Sequence, residues 1–198
     1  MVHNKARMLL SRFLHAIYYA KDKEEIYVFG GHGFREVAMT RCERYSLEND
    51  KWKVTHPMLK PRKNFNACRA DWRIFLCGGG HESIETFDLR SGSFQLLEIA
   101  IGWCSAYTSD EELVLVTSNF VRKINLRSGK TVSEETLDAE GELVLGYCNV
   151  VVHRNVLYTM VGDACVGLHL DSGRRETFPV PRSIKKSKKE ADLWDRSL

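Results

Sequence analysis

The chain repeats a short pattern four times, and this repeat restricts the folds that it can adopt. Each copy has an apolar residue, Leu two positions later, and then a turn pair in which Ser or Asn precedes Gly or Asp. The copies align without gaps and begin at residues 45, 87, 124 and 168, so that successive starts are 42, 37 and 44 residues apart. One supersecondary unit of about 40 residues therefore recurs along the chain.

Each copy of the pattern predicts a β-hairpin. Apolar residues that alternate with polar ones, such as Phe87 and Leu89, place one face of a strand inward. The turn pair supplies the positive φ of a tight turn, and a second strand returns from it. A run rich in apolar and β-branched residues precedes each hairpin and reads as a buried strand. These runs are residues 26–29, 74–77, 113–116 and 156–160.

A further candidate strand and a polar turn come before each buried run, so that the unit has four antiparallel strands. Two of these first strands share a Gly-aromatic-Cys signature, at residues 101–104 and 145–148. Four-stranded units at this period are typical of a β-propeller, in which each unit is one blade. We predict an all-β propeller over residues 1–181, with blades at about 11–56, 62–98, 101–136 and 145–180.

The first two repeats share a glycine pair after the apolar strand and spaced aromatic residues after it. These residues are Gly30, Gly31, Tyr45 and Trp52 in the first repeat, and Gly78, Gly79, Phe87 and Phe94 in the second. Glycine suits the end of an inner strand because it permits unusual backbone angles and a close approach of the next blade. An apolar strand that ends in a glycine pair and is followed by spaced Tyr and Trp resembles the kelch repeat. The third and fourth repeats lack most of these residues.

The number of repeats favours an open or partial propeller, or part of a larger one, over a closed ring. Kelch-like propellers usually close with more than four blades, although four-bladed closure is allowed. An open stack exposes blade faces and edges that a partner, a second copy or further chain must cover. We therefore predict self-association through open blade edges as one way in which the chain completes its surface.

The charge of the chain is concentrated at one end. Residues 181–198 hold six basic and three acidic side chains, whereas the other 180 residues hold 23 of each, which accounts for the net charge of +3. The neutral body gives no reason to expect nucleic-acid binding. We predict that residues 182–198 are a disordered basic tail, with a nuclear localisation signal as the alternative. No apolar run is long enough to span a bilayer, so we expect a cytoplasmic protein without membrane contact.

The sequence assembles no catalytic or metal-binding motif. The six cysteines form no Cys-x-x-Cys pair and are expected to be reduced thiols. His32 and His81 follow equivalent glycine runs and could share a metal, but no third ligand is placed by the pattern, so we prefer to read them as loop histidines. We predict no catalytic residue, no metal and no cofactor. The alternatives are a metal-dependent oxidase or lyase-like enzyme on a kelch-like propeller, or a structural subunit of a larger assembly.

The kelch resemblance implies a non-enzymatic interaction module, in the manner of a scaffold or substrate adaptor. Loops that join strands two and three of a blade, and loops that join consecutive blades, emerge on one face because the strands alternate in direction. Kelch-like proteins generally hold protein segments on this face, and long loops on a rigid scaffold are common binding sites. We predict a protein partner, either a peptide segment or an assembly neighbour. The predicted contacts are Arg35, Arg62, Lys63, Asn64 and His81.

Overall fold

A computed structural model gives the fold of the chain, which divides into two compact units, Met1–Tyr147 and Cys148–Leu198. The basic tail and the Gly-aromatic-Cys signatures at 101–104 and 145–148 lie outside the described residues. Within the described part of the chain, no helix is long and apolar enough to cross a membrane. The described residues are 5–34, 38–79, 81, 83–97, 99, 105–108, 111–117, 120–136, 151–161, 164–170, 172 and 174–179.

The first unit contains three sheets, each made of four consecutive antiparallel strands. We call these sheets blades 1, 2 and 3. A single turn of 3-10 helix, Lys21–Lys23, joins the first two strands of blade 1. Blade 1 consists of β1 (Ala16–Ala20), β2 (Glu25–Phe29), β3 (Cys42–Ser46) and β4 (Lys51–Val54). Blade 2 consists of β5 (Phe65–Ala70), β6 (Arg73–Gly78), β7 (Ile84–Asp88) and β8 (Phe94–Leu97). Blade 3 consists of β9 (Ser105–Thr108), β10 (Glu112–Val116), β11 (Phe120–Asn125) and β12 (Thr131–Thr136).

The second unit contains the fourth sheet, blade 4, which has the same strand order. Its strands are β13 (Val151–His153), β14 (Val156–Val161), β15 (Ala164–His169) and β16 (Arg175–Pro179). The predicted fold class is confirmed, because each of the four repeats forms one four-stranded antiparallel sheet. The open or partial arrangement of the blades stays a prediction.

The hairpin turns take the backbone conformation that the turn pairs predict. The second residue of the pair has a positive φ in blade 1, where Asp50 is at 48°, and in blades 2 and 3, where Gly92 is at 70° and Gly129 at 68°. An Asx turn begins two of these hairpins. The Asp88 carboxylate accepts hydrogen bonds from the backbone amides of residues 90 and 91, and Asn125 does the same for residues 127 and 128.

Aromatic side chains fill the space between blades 1 and 2. Phe87 of β7 lies 5.6 Å from both Tyr27 and Phe29 of β2 and 4.8 Å from Phe94 of β8, measured between ring centroids. Phe87 and Phe94 are direct partners across β7 and β8, so they share one face of blade 2, which meets the aromatic face of blade 1. These tilted and edge-on contacts stabilise the pair of blades beyond their buried area.

The opposite face of blade 2 packs on blade 3 through a cluster of mainly aliphatic side chains with Phe75 and Cys77. Phe75 and Cys77 of β6 belong to one buried cluster with Leu113 and Leu115 of β10. The Asn66 side chain also links the two sheets, because its amide donates to the Ala106 carbonyl and its oxygen accepts from the Ala106 N–H. Blade 2 is therefore covered on both faces.

The glycine pair of blade 1 lies where the chain leaves β2 and passes next to the following connection. Gly30 and Gly31 have φ of 51° and 101°, a region that L side chains rarely adopt. A Cβ on Gly30 would lie 2.6 Å from the Arg62 carbonyl oxygen, and one on Gly31 would lie 2.8 Å from the Phe13 carbonyl oxygen. Two independent constraints, backbone angle and space, thus require glycine here.

We expect Gly30→Ala to lower the free energy of unfolding of the protein by about 3 kcal/mol or more, because the variant has both backbone strain and a clash with backbone atoms. Gly129→Ala is a matched control, since Gly129 also has a positive φ (68°) but no atom lies within 4 Å of its added Cβ. That control is expected to lose only about 1 kcal/mol. Urea unfolding measures both variants, and equal losses would show that space at Gly30 does not matter.

Candidate functional site

The loops after β2 and the connection between blades 1 and 2 form one surface. The Gly31 N–H donates to the Arg62 carbonyl at 2.8 Å, and the Met58 N–H donates to the Thr40 carbonyl at 2.8 Å. These backbone bonds join the β2–β3 loop to the connection that follows β4. We call the surface made by residues 30–34, 38–41, 58–64, 79 and 81 the loop face.

A buried ion pair fixes this connection to blade 2. Arg62 and Glu85 have fully buried side chains, and Arg62 Nε lies 3.1 Å from Glu85 Oε1. The remaining guanidinium nitrogens donate to the carbonyl oxygens of Gly78 and Ser83, both at 2.7 Å. The Glu85 carboxylate also accepts the backbone amides of residues 59 and 60. Every charge is thus matched by hydrogen bonds, as burial requires.

The same arrangement occurs one blade earlier. Arg12 NH2 lies 2.5 Å from Glu43 Oε1, both side chains are fully buried, and the Glu43 carboxylate accepts the amides of residues 9 and 10. Arg12 NH1 donates to the Gly30 carbonyl as Arg62 NH1 donates to that of Gly78.

Burial, and secondly the nearby charge of Arg12, lower the pKa of His15, so that this imidazole is neutral at pH 7.

We call these two buried pairs, Arg12–Glu43 and Arg62–Glu85, latches. Sequence reasoning missed them, although the sequence contains a repeated pattern that marks their arginines. The pattern Met-Leu-x-x-Arg occurs at residues 8–12 and again at 58–62. Glu43 and Glu85 each stand two positions before the first residue of the repeated pattern. The equivalent positions hold Arg122 in blade 3 and Val166 in blade 4, so a latch carboxylate is present only in the two repeats that carry the glycine pairs. In blade 3, Arg122 instead pairs with the exposed Glu134 at 2.5 Å.

The structure places Arg62 differently from the sequence prediction. Its guanidinium is inside the protein and its donors bind internal acceptors, so it is not presented to a partner. The sequence misled because an arginine on a polar connection is usually exposed. Arg35 lies outside the described residues. The other three predicted contacts, Lys63, Asn64 and His81, are half-buried on the loop face.

The half-buried residues are held by backbone contacts. Asn64 has a φ of 53°, and its N–H donates to the Leu14 carbonyl at 2.9 Å. His81 Nε2 lies 2.7 Å from the Pro61 carbonyl oxygen, which can only accept, so this nitrogen carries a proton. The imidazole of His81 is thereby fixed in one tautomer while Nδ1 is left as an acceptor.

Apolar side chains are exposed on and beside the loop face. Phe34 is 97% exposed, and Leu59 is 53% exposed. Phe13 is 54% exposed, pairs through its backbone with His32, and lies 4.6 Å from the His32 ring. Contiguous apolar patches on a protein surface often mark interaction sites.

The first-repeat aromatic residues lie on the other face of blade 1 from Tyr27 and Phe29. Tyr45 and Trp52 are directly paired across β3 and β4, with ring centroids 5.1 Å apart. Trp52 Nε1 donates to the Ala6 carbonyl at 2.9 Å, and the Tyr45 hydroxyl donates to Asp50. The described contacts of these rings are therefore with their own turn and with the N-terminal segment, whereas Phe87 and Phe94 lie between blades.

Potential metal ligands are separate from one another in the described part of the chain. No group of three or more His, Cys, Asp or Glu side chains is arranged there to hold a metal ion. The four described cysteines are free thiols, and burial raises the pKa of Cys42 to about 12. This thiol is therefore protonated at neutral pH and is not a nucleophile.

The comparison with protein families agrees with this geometry. A family model, the kelch motif, matches residues 22–59, which run from the turn before β2 through β4 to the connection after it. The chain carries a kelch repeat. No curated protein matches the chain.

The kelch repeat is offset from the blade by one strand. The match starts after β1 and ends at Leu59, whose amide binds Glu85 of blade 2. The end of one repeat is thus attached to the next blade by the latch. The resemblance of the chain to kelch-repeat proteins is confirmed, together with its blade-like sheets.

We expect Arg62→Met to lower the free energy of unfolding by about 3–5 kcal/mol, because the change leaves the Glu85 carboxylate buried without a countercharge. Arg122→Met, which breaks the exposed pair with Glu134, is the control and is expected to lose about 1 kcal/mol or less. Urea denaturation of the purified variants measures both values. A second change, Glu85→Gln in the Arg62→Met background, should recover part of the lost free energy of unfolding, because it removes the buried charge. Equal losses in Arg62→Met and Arg122→Met would contradict the structural role of the latch.

Proposed function

We propose that the chain is a non-enzymatic interaction module, of the scaffold or substrate-adaptor type, which binds a segment of a protein partner on the loop face. The observation that carries the proposal is the exposure of Phe34 at 97%, within the residues that match the kelch motif, with Phe13 at 54% in the segment before them. Aromatic side chains are enriched among the residues that dominate protein interfaces. Kelch repeats generally mediate protein interactions, which supports the same reading.

The rigid base of the loop face favours binding. The Arg62–Glu85 latch and the backbone bonds around Gly31 hold the connection in place, so that little conformational freedom is lost when a partner binds. Lys63, Asn64 and His81 supply polar groups at the same surface, and Arg35 belongs to the β2–β3 loop that carries Phe34. We propose these four as the polar contacts around an aromatic centre.

The charge distribution supports a location in the cytoplasm. The neutral body carries no basic excess that would attract nucleic acid, and the basic residues are gathered at 182–189. We propose that the protein acts in the cytoplasm, and that the tail would direct it to the nucleus if it is read as a localisation signal.

We expect the double variant Phe34→Ser, Lys63→Ala to lose its captured partners, because it removes the exposed ring and one cation without touching the latch. Affinity capture with mass spectrometry compares it with the unchanged chain. Val132→Ser is the control, since Val132 is 57% exposed on β12 of blade 3, away from the β2–β3 loop. The proposal that partners bind the loop face is supported if the control and the unchanged chain recover the same partners and the double variant recovers about tenfold less of them or lower. Equal recovery of the partners by all three proteins would contradict partner binding on the loop face.

Self-association is a second candidate role, and exposure on blade 1 favours it. Ile17 and Tyr19 of β1 are 58% and 47% exposed. Strand pairing shows that they occupy the positions of Ala67 and Arg69 in blade 2, on the face that meets blade 1. A face that is packed in blade 2 thus presents large apolar groups to solvent in blade 1, which is typical of an interface.

We expect the chain to form concentration-dependent oligomers, and the double variant Ile17→Ser, Tyr19→Ser to weaken them, because apolar area would be lost from the contact. Sedimentation velocity over a range of concentrations measures the association. Val132→Ser again serves as the control for an exposed apolar residue elsewhere. A monomer at every concentration, or oligomers that the double variant leaves unchanged, would rule out this face.

A further inference from the structure

A cleft of about 530 Å³ opens between blades 1 and 2, away from the exposed aromatic residues of the loop face. Its apolar floor is formed by Tyr27 of blade 1 and by Phe87 and Leu89 of blade 2, all of them buried. The volume lies within the range of ordinary ligand sites. The cleft borders the turn between β1 and β2 and the turn between β7 and β8.

Basic side chains surround this floor. Lys23, Arg44, His56 and Arg90 line the cleft, and none of the described lining residues is Asp or Glu. Two carboxylates stand behind them: Glu25 accepts from Arg44 at 2.6 Å, and Asp88 pairs with Arg90 at 3.2 Å. Lys23 has no carboxylate within ion-pair distance among the described residues, and its Nζ donates to the Leu89 carbonyl at 2.5 Å. The cleft therefore has a net positive charge.

The basic groups are held in position before any ligand binds. The Arg90 guanidinium lies over the Trp72 ring, 4.1 Å from its centroid. His56 Nδ1 lies 2.9 Å from the Gly92 carbonyl oxygen, so Nδ1 carries the proton and Nε2 is left for another partner. The Arg69–Asp22 pair joins the adjoining turn of blade 1 to blade 2, and this contact lowers the pKa of Asp22 to about 2. Preorganised donors lose little freedom on binding.

The corresponding space between blades 2 and 3 has a different set of charged groups. Arg73 of β6 donates to the Leu126 carbonyl there at 3.4 Å, as Lys23 donates to the Leu89 carbonyl in the cleft. The position equivalent to Arg44, however, is Thr86 in blade 2. Arg127 is the counterpart of Arg90 in blade 3, but its side chain is 82% exposed and pairs with Glu111 at 3.1 Å.

We propose that the cleft binds an acidic peptide segment, with an apolar side chain on the Tyr27–Phe87 floor and carboxylates on Lys23 and Arg90. Arginine and lysine suit carboxylates through charge-assisted hydrogen bonds, and the apolar floor distinguishes a peptide from a bare anion. This inference rests on the proposed interaction function only in taking the ligand to be a protein segment. It assigns a second surface, separate from Phe34.

The test uses a fluorescein-labelled peptide of alternating Glu and Leu residues, and fluorescence anisotropy with the full chain. We expect saturable binding that weakens as salt is added, and no binding of the matched peptide with Gln in place of Glu. Lys23→Gln combined with Arg90→Gln should weaken binding about tenfold, since two partly exposed charge contacts are lost. Lys23→Gln keeps a donor for the Leu89 carbonyl, and thermal unfolding verifies that the variant is folded.

Two controls make the outcome decisive. Arg127→Gln, in the same turn of the next blade, should change the affinity less than about twofold, and Arg90→Lys should retain most of it. Three results would overturn the proposal. Arg127→Gln could weaken peptide binding as much as the Lys23→Gln, Arg90→Gln variant does, or the Gln peptide could bind as tightly as the Glu peptide. The third result is displacement of the Glu peptide by inorganic phosphate at equal concentration. The Phe34→Ser, Lys63→Ala variant should bind this peptide normally, so that failure of the loop face and failure of the cleft are distinguished.

Discussion

The buried Arg62–Glu85 latch determines how blade 2 is attached to the connection from blade 1. A carboxylate on the third strand of a blade accepts two backbone amides of the connection that enters that blade, while the arginine of the same connection neutralises it. A charge with no water around it is tolerated only when it is paired and hydrogen-bonded, so the connection has a single favourable position. The glycine pair, the loop face and the nearby aromatic contacts between blades 1 and 2 all depend on that position.

The two proposed surfaces follow from this attachment in different ways. The loop face contains the latch itself, and its exposed aromatic residues are on loops that the latch and its neighbouring backbone bonds hold. The basic cleft lies at the contact of Tyr27 with Phe87, and the carboxylates that pair with Arg44 and Arg90 belong to the same blades as these arginines. One interface between blades therefore offers an aromatic surface and a basic surface to partners.

Much of the fold could be predicted from the sequence because it depends on local rules. The turn pairs predicted positive φ at Asp50, Gly92 and Gly129, and alternation around Phe87 identified its inward face. The placement of Arg62 could not be predicted, because its partner Glu85 is 23 residues away and neither residue has a local signature of burial. Even the recurrence of Met-Leu-x-x-Arg indicates a repeated contact without saying what is contacted.

The sequence by itself determined the number of repeats, the four antiparallel strands of each sheet and the kelch character of the first repeat. These properties depend on side-chain period and turn chemistry, which neighbouring residues decide. Only the tertiary structure decided which charges are buried and which are exposed. Arg62 and Arg90 have similar polar surroundings in the sequence, but the desolvated Arg62 stabilises the protein from within while Arg90 remains at the rim of a cleft. The difference arises because burial is a property of the packed blades, and residues far apart in the chain create it.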